Sequence, residues 1–70
     1  MVKTIEELRQ AIINELMYVD IRPYSHNLVG LYMGELERNY GIKEVKRIVN
    51  DHASLWESKG WGHLVRVYVN

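Results

Sequence analysis

Thr4-Ile5-Glu6-Glu7-Leu8-Arg9-Gln10-Ala11-Ile12-Ile13-Asn14-Glu15-Leu16-Met17-Tyr18-Val19 decides the fold, because it reads as one amphipathic helix from end to end. Its first four residues have the S/T-x-x-E form of a capping box. In that motif the threonine oxygen and the glutamate carboxylate each accept from a backbone N–H that the helix leaves without a partner. Ile5, Leu8, Ile12, Leu16 and Val19 then recur at spacings of three and four, which at ~100° per residue gathers them within about 80° of arc. That stripe is a core face. Ile13 and Met17 fall roughly 100° away from it. This is more apolar surface than one neighbouring helix covers, and it predicts contact with a further element or a second chain.

Downstream, Tyr18-Val19-Asp20-Ile21-Arg22 mixes β-branched and aromatic residues, and Pro23 biases Arg22 away from helical geometry. The first helix is therefore expected over about 4–20. Ser25 suits the cap of a second helix, about 26–40, whose Leu28, Val29, Leu31, Tyr32, Met33, Leu36 and Tyr40 cover an arc wide enough to be contacted from two sides. Gly41 sits where a helix ends in a left-handed residue. A third helix, about 42–58, carries Ile42, Val45, Ile48, Val49, Ala53, Leu55 and Trp56 on one side and stops before Gly60.

After Gly60-Trp61-Gly62 the pattern changes. Val65, Val67 and Val69 alternate with Leu64, Arg66 and Tyr68 at the period of a strand, so a short β-like segment is expected at about 63–69. A lone strand cannot satisfy its own backbone groups. The segment must pair with residues 18–22, pair with another chain, or leave 61–70 as an extended tail. The expected fold is mostly α: a small three-helix bundle with this C-terminal β-like segment, forming a single domain over residues 1–70.

Seventy residues leave room for one core only, and a chain of this size buries roughly 60% of its unfolded surface. The usual supplements are disulfides, a structural metal or a second copy of the chain. The sequence contains no cysteine and three histidines, which excludes disulfides and cysteine-ligated zinc and leaves self-association as the expected supplement. Nine basic and nine acidic residues cancel, so no overall field draws the chain to nucleic acid or an anionic membrane. No apolar run approaches the ~20 residues that span a bilayer, and Met1-Val2-Lys3-Thr4-Ile5 lacks a secretory apolar core. The expectation is a cytoplasmic protein without membrane contact.

Three constellations invite a functional reading. Lys43, Lys46, Arg47 and Asn50 share one side of the third helix. Cations there oppose the helix dipole, and a glycine-turned helix pair with basic residues early in its second helix resembles a helix-turn-helix. Glu44 and Glu57 on the same helix weaken that reading towards an ordinary solvated face, so nucleic acid is a disfavoured partner. Arg22, Tyr24, Ser25, His26 and Asn27 form the densest polar cluster, at a helix N-terminus that favours anions. Capping and turn formation account for the serine and asparagine equally well. Trp61 between two glycines, with Trp56 nearby, offers aromatic anchors of the kind found at interfaces, or else closes a small core.

His52 falls within the apolar stripe of the third helix, where a neutral core histidine is commoner than an acid or base. The Gly30-Leu31-Tyr32-Met33-Gly34 segment matches GxxxG in a charged helix. Two mid-helix glycines cost about 1 kcal/mol each relative to alanine, which suggests close approach of a helix or partner. No nucleophile, base and orienting group appear at catalytic spacing, and no ligand set has metal-binding spacing. The reading from sequence is a non-enzymatic interaction or regulatory module without cofactor, metal or small-molecule substrate. Its partner is itself, as a homodimer, or another protein, through Ile13, Met17, Trp61, Val65 and Val67. The alternative is a nucleic-acid-binding protein using the basic face of the third helix.

Overall fold

In a computed structural model, which describes residues 3–68, the chain forms five helices: α1 (Ile5–Met17), α2 (Ser25–Tyr40), α3 (Ile42–Asp51), α4 (Ala53–Ser58) and α5 (Gly62–Tyr68). The capping box that opens α1 is formed in full. Glu7 N–H donates to Thr4 Oγ1 at 3.1 Å, and Thr4 N–H donates to Glu7 Oε1 at 2.8 Å. Leu8, Ile12 and Leu16 are completely buried, as their spacing requires. The helix ends at Met17, earlier than position 20. A turn follows in which the N–H groups of Ile21 and Arg22 both donate to the Tyr18 carbonyl.

α2 returns alongside α1 and packs against α3 on its other flank, so its wide apolar arc is contacted from two sides. Ser25 is not its cap. It is the first helical residue, is fully buried, and donates its hydroxyl to Glu15 Oε1 at 2.8 Å, tying α2 to α1. Gly41 alone joins α2 to α3. Its φ of 91° and ψ of 167° lie in a region that only glycine occupies at low cost, and not in the left-handed helical region. Its N–H closes α2 on the Glu37 carbonyl, and its own carbonyl accepts from Glu44 N–H at the start of α3.

The expected single helix over 42–58 is interrupted at His52, whose φ of −125° and ψ of 33° leave helical geometry. The break lets α4 turn so that Trp56 enters the core with no exposed surface, its indole N–H bonded to the Ile48 carbonyl at 3.3 Å. His52, half-buried, marks the junction and does not sit inside a continuous stripe.

The C-terminal β-like segment is corrected outright: among the described residues there is no strand, and Gly62–Tyr68 is helical. Val69 lies outside the described residues. The alternation of valines competes with a second pattern, Trp61, Leu64, Val65 and Tyr68, at i, i+3, i+4 and i+7, which at ~100° per residue gathers them within about 100° of arc. All four pack on the core, while Val67 points away and is 67% exposed. Burial of four large side chains outweighs the helix cost of β-branching, about 0.5 kcal/mol per residue.

A reversal after α4 aims this helix back. Gly60 adopts a φ of 92°, Trp61 N–H donates to the Trp56 carbonyl at 2.8 Å, and Gly60 N–H donates to the Glu57 carbonyl at 3.2 Å. This is the Schellman arrangement, with its accompanying apolar contact supplied by Trp56 and Trp61 edge to face, ring centroids 5.7 Å apart. The radius of gyration, 11.2 Å, equals the ~11 Å expected of a compact chain of this length. Residues 18–22 form a turn and pair with no strand.

Candidate interaction groove

Because α5 folds back over α3 and α4 and α2 lies beyond α3, a furrow of about 350 Å³ remains between α2 and α5. Its floor is made of buried core side chains, Val29, Val45 and Trp56. One wall is α2, with Gly30, Met33 and Gly34; the other is Trp61, Leu64 and Tyr68. Gly30 and Gly34 deprive the first wall of side chains. A methyl group added at Gly30 would meet nothing within 4 Å, and one at Gly34 would meet only the Arg38 guanidinium at 3.3 Å. Among the described residues the two glycines therefore serve no helix–helix approach, and the space beside them is open.

His26 and Glu37 lie on the same side of α2 as the glycines and line the furrow with them. The His26 ring stacks on Trp61, centroids 4.8 Å apart and planes inclined by 29°, linking the start of α2 to the α4–α5 turn. The Glu37 carboxylate, one turn from the end of α2, makes no hydrogen bond or ion pair among the described residues.

The five residues singled out for interaction are dispersed. Ile13, Trp61 and Val65 pack against the core, whereas Met17 and Val67 are largely exposed, on α1 and α5 respectively. Of the five, Trp61 belongs to the groove. The strand period expected for residues 63–69 gives no reason to group Leu64 and Tyr68 with Trp61; the helical period of α5 does. The GxxxG spacing and Trp61 are the two sequence features that point there.

Lys43, Lys46, Arg47 and Asn50 do come together, on a shallow open shelf that also includes Asp51 and Tyr68. The shelf is poorer in free charge than its lysines suggest. Glu44 pairs with Arg47 at 3.4 Å, and Asp51 is held by Arg9 at 2.8 Å. The single-residue connection at Gly41 is also shorter than the 3–4-residue turn of a helix-turn-helix.

The polar cluster does not converge. Arg22 lies over the Tyr18 ring at 4.2 Å, Ser25 is buried against Glu15, His26 stacks on Trp61, and Tyr24 and Asn27 face solvent. No side chain caps the N-terminus of α2. Among the described residues no cluster of three or more histidine, cysteine or carboxylate side chains could hold a metal ion, and no helix is long and apolar enough to cross a membrane. No protein-family model, curated protein or solved structure matches the chain.

Proposed function

We propose that this protein is a non-enzymatic interaction module and that the furrow between α2 and α5 is where it engages protein. One observation carries the reading: a preformed groove, mainly apolar and edged by His26 and Glu37, opens on a side-chain-free strip of α2 that none of the described residues occupies. An amphipathic helix laid into an apolar groove is a recurring recognition mode, and glycines let a second backbone approach closely. Half-buried Trp61 and Tyr68 supply the aromatic anchors that dominate such interfaces. Scattered exposed residues such as Ile21, Leu31 and Val67 are ordinary for a folded surface and carry no such argument.

Nucleic-acid binding by the α3 shelf stands second, favoured by Lys43 and Lys46 and opposed by the carboxylates among them. A photo-crosslinking amino acid placed at position 30 or at position 46, activated in cells producing the protein, separates the two. Protein adducts from position 30 are expected. Nucleic-acid adducts from position 46, with none to protein from position 30, would overturn the proposal.

A further inference from the structure

We infer that the occupant of the groove is the α2 helix of a second copy of this chain, crossing antiparallel about a two-fold axis between Gly30 and Gly34. The inference rests on the groove being a protein-docking surface and adds the identity of its partner.

The charges on α2 provide the argument. His26 stands in the first turn of the helix, which contains no acidic residue, and Glu37 stands in the last. A carboxylate in the last turn opposes the helix dipole, and so does a histidine in the first turn when it is protonated, so helix stability does not account for the pair. Both lie on the glycine side, lining the groove with Gly30 and Gly34.

Antiparallel pairing gives them a purpose. With Gly30 of one copy opposite Gly34 of the other, His26 lies four residues beyond its glycine and the partner's Glu37 three residues beyond the facing one. At a rise of about 1.5 Å per residue the two side chains differ in height by a single step, well within their reach. The symmetry repeats the contact at the other end, so two histidine–glutamate pairs flank a close glycine crossing. Opposed helix dipoles add to the attraction.

Shape agrees with charge. A helix seated between α2 and α5 places its own Met33 against the Trp61, Leu64 and Tyr68 wall, and its partner does likewise. Arg38, the one group beside Gly34, is the far end of an exposed side chain and can swing aside. Because the same surface is used twice, the contact is isologous and closes at two copies, with no residual edge for further growth. A chain of 70 residues without cysteine gains in this way the stabilisation that disulfides or a metal supply to other small domains.

The test is sedimentation equilibrium of the purified full chain from micromolar to millimolar concentration, with far-UV circular dichroism to confirm that each variant stays helical. A monomer–dimer equilibrium is expected. Gly30→Leu should abolish it by blocking the crossing. Glu37→Lys should weaken it about tenfold, and adding His26→Glu to Glu37→Lys should restore it by re-creating complementary charge in the reverse sense. A purely structural role for either residue would not give that rescue.

A dimer indifferent to Gly30→Leu and Glu37→Lys would overturn the inference, placing self-association on another face. A monomer at every concentration whose position-30 crosslinker captures a different protein would overturn it too while leaving the groove as a docking site. A monomer with no protein adduct from position 30 would defeat both readings.

Discussion

Nε1 of Trp56 donates a hydrogen bond to the carbonyl oxygen of Ile48 across 3.3 Å in the buried centre of the protein. The carbonyl belongs to the last turn of α3, where the helix break at His52 leaves oxygens short of backbone partners. One side chain thus fills the core, satisfies a buried acceptor and holds α4 at an angle to α3. Trp56→Phe keeps the apolar bulk but strands that acceptor. Given a cost of about 1–3 kcal/mol for an unsatisfied buried group, together with the smaller ring, a loss of about 2–4 kcal/mol is expected. Urea unfolding followed by circular dichroism measures it, and a loss below half a kcal/mol would mean that the bond contributes nothing.

Gly41 and Gly30 respond to alanine in opposite directions. At Gly41 the backbone conformation is one that side chains rarely adopt, so Gly41→Ala should destabilise by about 1–3 kcal/mol. At Gly30, inside a regular helix with open space beside it, alanine should stabilise by about 0.5–1 kcal/mol. The same unfolding experiment checks both. A stabilised Gly30→Ala fold that dimerises less well would show that the glycine is retained for contact and not for folding.

Glu7 links the α1 cap to pH. The Thr4 backbone N–H, donating to its carboxylate, is the main cause that holds the Glu7 carboxyl below the usual glutamate range. Hydrogen bonding by the Thr4 hydroxyl adds to it, desolvation opposes it, and the nearby Lys3 charge lowers it a little further. A depressed folded-state value means that the stabilisation is present above the unfolded-state titration of about pH 4.3 and is lost as pH falls through the folded-state value. Carboxyl titration by NMR should place Glu7 below the usual glutamate range, and Thr4→Ala should move it upward while costing about 1 kcal/mol of stability through the lost cap.

The helicity of α5 is also open to a direct test. Val67 is exposed on its outer face, where a β-branched residue is less favourable in a helix than alanine by up to about 0.6 kcal/mol. Val67→Ala should therefore leave stability unchanged or raise it within that limit, whereas in a strand it would lower it. Leu64→Ala, on the inner face, should cost about 1–2 kcal/mol, in keeping with partial burial.

The sequence by itself determined what is local and periodic. The capping box, the Leu8, Ile12 and Leu16 stripe, the stop at Tyr40, and the all-helical body up to Ser58 were legible because each depends on residues within a turn or two of one another. Only the tertiary structure decided the rest. Residues 62–68 carry a strand-like alternation and a helical stripe at once, and nothing in the segment ranks them. The ranking came from the apolar surface of Val45 and Trp56 waiting beside it, against which only the helical face can be buried. Likewise, the break at His52 follows from the need to bring Trp56 inward, which no neighbour in sequence reveals. The groove depends on both of these outcomes. The GxxxG spacing marked one wall of it from the start, but a wall becomes a groove only when α5 stands opposite, and that placement is set by packing between residues far apart in the chain.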